Sequence, residues 1–256
     1  MEKKIRLSIA LAVYNEEKNL PSCLQSVRDI ASEIVIVDGG SSDNTLAIAV
    51  KAGARVKVTD NPPMFHINKQ KALNLCRGEW ILQLDADETV SEALKKEIRE
   101  VISQDSPVNG YFLPRKNYFW GKWMKKGGQY PDYLIRLVRN GRARFPSQSL
   151  HEQIEVTGET GYLVNPLLHH SYRNFRDYWR KAWHYIRLSR DDLKKRRVKK
   201  NLFVFTDYAV VRPLKTFFTL YFRHRGFLDG WRGFVFAIFS SMHHAFSYWL
   251  YLTGGK

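Results

Sequence analysis

The stretch Glu33-Ile34-Val35-Ile36-Val37-Asp38, followed at once by Gly39-Gly40-Ser41-Ser42-Asp43-Asn44-Thr45, decides how this chain is read. Consecutive β-branched residues that end on a carboxylate and two glycines describe a buried strand stopping at a turn. Asp43-Asn44-Thr45 then offers an N-cap for a helix running to Ala52, which Gly53 closes. Outward from this unit the pattern repeats. Leu7–Val13 is a short apolar run, and helical spacing follows from Pro21 to Val27. Arg55–Thr59 alternates as a strand, Asn68–Cys76 suits a helix closed by Gly78, and Trp80–Leu84 is another buried strand. Ser91 caps a charged amphipathic helix over Glu92–Val101. Such alternation predicts an α/β fold whose mainly parallel sheet carries helices on both faces.

In sheets of this kind ligands bind at the carboxyl ends of the strands. Polar clusters stand at the ends of the first, second and fourth predicted strands: Tyr14-Asn15-Glu16, Asp38-Gly39-Gly40-Ser41 and Asp85-Ala86-Asp87. Asp85 and Asp87 leave the sheet together and can turn toward one ion. Mg²⁺ or Mn²⁺ takes few protein carboxylates and completes its shell with water and phosphates. Asp-x-Asp is equally the composition of a solvated turn, and only the neighbouring strand ends weigh for a site. Asp38 can accept a hydrogen bond from a base N–H or a ribose hydroxyl, or it closes a turn whose Asp43 caps the next helix. No Gly-x-Gly-x-x-Gly follows any strand, which argues against a dinucleotide dehydrogenase.

Composition divides the 256 residues unequally. The hydrophobic fraction of 44% is enough for a core. Cys23 and Cys76 are the only cysteines and lack ligand spacing, which fits a reducing compartment. The first apolar run lacks the small-residue cleavage pattern of a signal peptide, so the chain is expected in the cytoplasm. Residues 170–256 hold 18 Lys/Arg against 5 Asp/Glu and 22 of the 35 aromatics. A nucleic-acid-binding protein shares that composition, but carboxylates at three strand ends would repel phosphate, and no nucleic-acid partner is expected. A nucleotidyltransferase, which shares the metal and the nucleotide, is the enzymatic alternative; a non-enzymatic basic nucleic-acid- or membrane-binding protein is the other.

Ala12-Val-Tyr-Asn-Glu16, Val37-Asp-Gly-Gly-Ser-Ser-Asp-Asn-Thr45 and Leu84-Asp-Ala-Asp-Glu88, in this order, resemble the family 2 glycosyltransferases. The resemblance implies a GT-A fold, a Rossmann-like nucleotide-binding domain over residues 1–169. Its donor half would span about 1–105 and its acceptor half about 106–169. It also implies a UDP-sugar donor, with Val13, Tyr14 and Glu16 lining the nucleotide and Asp38 bonding the base. Asp85 would lie beside the ribose and diphosphate, Asp87 would ligate Mg²⁺ or Mn²⁺, and Asp85 would assist it. Lys69 matches a basic position facing the nucleotide, although a solvated helix face would look the same. Inverting transfer needs a carboxylate to take the acceptor proton. The resemblance puts Glu152 of Ser149-Leu-His-Glu-Gln153 in that role, with Asp132 as the other candidate. His151 would ligate the metal, orient an acceptor or be structural. The processive signature Gln-x-x-Arg-Trp is missing, which favours addition of one sugar.

Residues 170–256 read as a basic, aromatic helical extension. Phe175, Tyr178, Trp179, Ala182, Trp183 and Ile186 recur at helical spacing and lead into Lys194-Lys-Arg-Arg-Val-Lys-Lys200. Phe217–Phe222 and Phe234–Leu252 are apolar, and the second approaches spanning length. Helices lying on an anionic membrane surface are preferred over a span, and internal packing would also explain them. Arg225-Gly-Phe-Leu-Asp-Gly-Trp-Arg-Gly233 resembles the subgroup of β-1,4-glucosyltransferases of lipopolysaccharide core synthesis. That implies a glycolipid acceptor, glucose from UDP-glucose as the leading donor, and a peripheral place on the inner face of the plasma membrane.

Overall fold

A computed structural model describes residues 6–62, 64–146, 153–172 and 174–254. The chain divides into two compact units, residues 1–115 with 133–169 and residues 116–132 with 170–256. Residues 116–132, expected in the acceptor half, thus group with the C-terminal helices.

The α/β unit follows the predicted alternation: β1 (Leu7–Val13), α1 (Leu20–Val27), β2 (Glu33–Asp38), α2 (Thr45–Lys51), β3 (Arg55–Val58), α3 (His66–Leu75) and β4 (Trp80–Leu84). β5 (Glu88–Val90) and α4 (Glu92–Ser103) come next, then β6 (Val108–Phe119), which runs on into the second unit, and the short β7 (Lys122–Trp123), which lies wholly in that unit. β8 (Asp132–Arg139), β9 (Ala143–Arg144), β10 (Glu155–Val156), β11 (Glu159–Tyr162) and β12 (Leu167–Tyr172) complete the strands. The sheet order is β3-β2-β1-β4-β8-β6-β12-β5. β3, β2, β1 and β4 are parallel, and β8 turns antiparallel against β4.

Alternate residues of β1 divide the core. Leu7, Ile9, Leu11 and Val13 pack with Leu20, Leu24, Leu94 and Ile98 of α1 and α4 on one face. Ala10 packs on the other with Val35, Val37 and α3's Ala72 and Leu73. Both faces are covered, which is why β2 and β4 read as continuous apolar runs. Ser91 caps α4 as expected, its hydroxyl accepting from Leu94 N–H at 3.3 Å. At α2 the cap falls to Asp43, as the turn reading expects. Asn44 makes no side-chain cap, and the Asp43 carboxylate accepts from Thr45 N–H and its hydroxyl instead.

The second unit is helical. α5 (Phe175–Lys195) starts at Asn174, whose side chain accepts from Asp177 N–H at 2.9 Å. α6 (Leu202–Thr206) and α7 (Arg212–Phe218) alternate with π-helical segments over Asp207–Val211 and Thr219–Arg223. A 3₁₀ turn, Gly226–Asp229, precedes α8 (Trp231–Thr253). α8 packs on α5 and α7, burying Gly233, Ala237, Ser241, Ser247, Tyr248 and Leu250. One face of the near-spanning apolar stretch is thus used in packing, while Phe234, Met242 and Trp249 stay exposed. Among the described residues no helix is long and apolar enough to cross a membrane.

Candidate active site

Strand order places β2, β1 and β4 side by side and parallel, so the three polar clusters share one edge. Val13 pairs in register with Asp38, and Leu11 with Leu84, one residue before Asp85. The loops after β1 and β2 are laced together. Ser41 hydroxyl accepts from Asn15 N–H at 2.9 Å and Thr45 hydroxyl from Glu16 N–H at 2.7 Å. Asn15 side-chain oxygen accepts from Ser42 N–H at 2.8 Å. Asn15 has φ 55° and Gly40 φ 78°, left-handed conformations that make the turns this tight. Asp38 is buried and accepts from Ser41 N–H at 3.0 Å and from the Ser41 hydroxyl. Each carboxylate oxygen keeps a lone pair for a ligand donor. Val13 is buried, whereas Tyr14 beside it is 45% exposed.

After β4 the chain makes a short turn, with Glu88 N–H donating to Asp85 C=O at 3.0 Å and Asp85 N–H to Glu88 Oε2 at 2.8 Å. Here lies a buried charge network that sequence reading missed. Arg136 of β8 bonds Asp85 Oδ2 at 2.6 Å and Glu88 Oε1 at 2.8 Å, and also holds Gln83. Arg115 approaches Glu88 at 3.6 Å. Lys69 of α3 is buried and forms an ion pair with Asp85 Oδ1. It therefore faces the strand ends and is not a solvated lysine. Burial opposes the charge on Asp85, but Arg136 and Lys69 outweigh it and hold its carboxyl well below the ordinary range. Burial likewise works against the Arg136 charge, and Asp85 and Glu88 overcome it, raising its pKa.

With both oxygens in ion pairs, Asp85 is poorly placed to ligate a metal directly. At Asp87, His169 Nε2 lies 3.5 Å from Oδ1, brought there because β12 pairs antiparallel with β5, His169 opposite Glu88. His169 was not singled out from the sequence. Its only signal there is a histidine in a strand, and the pairing that gives it meaning is 81 residues away by number. Among the described residues no group of three His, Cys, Asp or Glu side chains converges for a metal ion. Mg²⁺ or Mn²⁺ bound through a diphosphate needs only one or two protein carboxylates, so Asp87, with His169 beside it, fits such an ion.

Of the candidate bases, Glu152 lies outside the described residues, as does His151. Asp132 belongs to the second unit, where it accepts from Asn117 Nδ2 at 3.2 Å. Cys23 is buried under the acidic edge. Burial first, and then Glu88, Asp85, Asp87 and Glu16, push its thiol well above the usual value, so it is no nucleophile. A cleft of about 640 Å³, lined in part by Glu79, Asp105, Arg139 and Arg142, opens at the opposite end of β4. It is away from the carboxyl edge where such sheets bind ligands.

A mixed α/β sheet with carboxylates at three neighbouring strand ends has the architecture of a GT-A nucleotide-binding fold. The family model Glycosyl transferase family 2 matches residues 8–167, and the chain belongs to that family. The lipopolysaccharide core biosynthesis glycosyltransferase LpsC of Rhizobium meliloti is 32% identical over 166 residues, 63% of this chain and 61% of LpsC. The chain thus spans less than two thirds of that relative. An uncharacterized glycosyltransferase of Rickettsia conorii is 26% identical over 97% of this chain and 89% of its own length. S. aureus TarS 1–349 in complex with UDP-GlcNAc aligns with TM-score 0.52 and 16% identity, over 94% of this chain and 82% of that one. At that identity the likeness is one of fold.

Proposed function

We propose that this chain is an inverting, metal-dependent glycosyltransferase that moves one sugar from a UDP-sugar to a glycolipid held at an anionic membrane surface. The observation that carries the donor reading is the shared edge of β2, β1 and β4, which holds Asp38, Tyr14 and Asp85 together. Supporting it, TarS is described in complex with UDP-GlcNAc. The name of LpsC supports a lipopolysaccharide core intermediate as acceptor, with glucose the leading sugar and the inner face of the plasma membrane the place of action.

In this reading Asp38 accepts from the base, Val13 and Tyr14 border it, and Glu16 lines the nucleotide beside them. Asp85, kept ionised by Arg136 and Lys69, accepts from ribose hydroxyls, and Lys69 adds positive charge near the diphosphate. Asp87, with His169, holds Mg²⁺ or Mn²⁺. When bound, that ion neutralises the charge developing on the diphosphate leaving group. Glu152 removes the proton from the acceptor hydroxyl as it attacks the anomeric carbon from the face opposite the leaving UDP, with Asp132 the alternative.

The test is a panel of nucleotide sugars with and without Mn²⁺ or Mg²⁺, reading bound donor and released UDP. Asp87→Ala is expected to abolish metal-dependent release while the fold survives. Full transfer by that variant would overturn the metal assignment. Glu152→Gln should lower transfer by about 10²–10⁴-fold with UDP binding intact; retained transfer would move the role to Asp132.

A further inference from the structure

Exposed apolar side chains of the helical unit crowd its α6–α7 segment more densely than its longest apolar helix, α8, where Trp231, Phe234, Met242 and Trp249 are the large ones exposed. α8 turns its small residues and Tyr248 inward, whereas α6, α7 and the intervening π-helical segments bury no residue fully. Phe203 is 84% exposed, and Val210, Leu214, Phe218 and Phe222 are each about half exposed. Those last four stand four residues apart. In a straight α-helix such spacing drifts around the axis. The wider π turns over Asp207–Val211 and Thr219–Arg223 reduce that drift. Just beyond, Phe227 and Leu228 are also exposed.

Charge frames this surface. Between Lys194 and Arg225 the chain holds ten Lys/Arg and a single acid, Asp207, which Arg212 pairs at 2.7 Å. Lys194, Lys195, Lys199 and Lys200 are exposed at one end, Arg223 and Arg225 at the other. The basic segment is held to the unit where Tyr251 and Tyr248 hydroxyls donate to Val198 and Lys199 carbonyls at 2.7 and 3.0 Å. Exposed rings and aliphatics flanked by cations match a leaflet with acyl chains below and anionic headgroups above.

We infer that residues 202–228 are the membrane-docking element: this helical segment lies in the interface of an anionic bilayer, its Phe203, Leu214 and Phe218 side chains entering the acyl region and the flanking lysines and arginines meeting the headgroups. This rests on the reading of a membrane-held acceptor only for its purpose. Lipid binding is measurable with neither donor nor acceptor, so its failure is separable from failure of UDP-sugar turnover.

The experiment is flotation of the full chain with phosphatidylcholine vesicles, with and without phosphatidylglycerol, in low and high salt. The expected result is binding to the anionic vesicles, weakened by salt. The Leu214→Glu/Phe218→Glu variant should float about tenfold less or worse, with unchanged circular dichroism and UDP binding. Val164→Glu, at an exposed apolar position of the other unit, should float as wild type. Three results would overturn the inference: no flotation of the wild type at low salt, undiminished flotation of the double variant, or sedimentation of the wild type as a dimer that the double variant disrupts while vesicle binding persists.

Discussion

Arg136 is the residue on which the acidic edge depends. It is buried, it comes from β8, and it answers two carboxylates that the β4–β5 turn has drawn together. Removing one partner of a buried pair leaves charge uncompensated, so Arg136→Met should cost about 3–5 kcal/mol in urea unfolding. The same network has a pH signature. Because the Asp85 carboxyl is depressed in the folded protein, its contribution is present above the unfolded value of about 4. That contribution is lost as pH falls through the lower folded value. Stability should therefore decline on acidification below about pH 4, and less steeply in Asp85→Asn, which chemical denaturation across pH would resolve. His169→Gln is expected to weaken Mn²⁺-supported UDP binding by about 10–100-fold without changing the unfolding midpoint, read by titration calorimetry. Neither Arg136 nor His169 stands out in the sequence, since each acquires its role from a strand pairing distant along the chain.

Among the elements, β1 to β4 and α1 to α4 were legible because their signals are local: apolar runs, caps and glycines within a few residues. The conspicuous Arg225–Gly233 segment was legible as a motif but not as a device. In the fold it is a close turn. Arg225 has φ 55° and Gly230 φ 67°, and Asp229 accepts from the Lys125 and Lys126 N–H groups at 3.0 and 2.8 Å. A Cβ on Gly233 would strike the Gly226 carbonyl, a backbone group that cannot swing aside as a flexible side chain would. Gly233→Ala should therefore lower stability by about 1–3 kcal/mol, seen as an earlier thermal transition of the helical signal. Ser91→Ala, removing the one cap predicted and observed on α4, should cost about 1 kcal/mol.

For the whole molecule, a nucleotide that binds only the folded chain must stabilise it. UDP at a hundred times its dissociation constant, with Mn²⁺, should add about 2.7 kcal/mol to unfolding free energy, and Asp87→Ala should remove most of that gain in a thermal-shift assay. The sequence by itself determined the class of fold, the family and the three acidic strand ends, because periodicity and turn chemistry are written in neighbouring residues. It marked Asp38, Asp85 and Asp87, but could not say that Asp85 is bridged by Arg136 and Lys69 while Asp87 stands beside His169. Those partners come from α3, β8 and β12, and only sheet pairing and helix packing bring them to one edge. Likewise Phe217–Phe222 and Phe234–Leu252 both read as apolar, the second approaching spanning length. Hydropathy reports which side chains avoid water, and tertiary packing decided that α8 buries six residues within its own unit while 202–222 buries none fully.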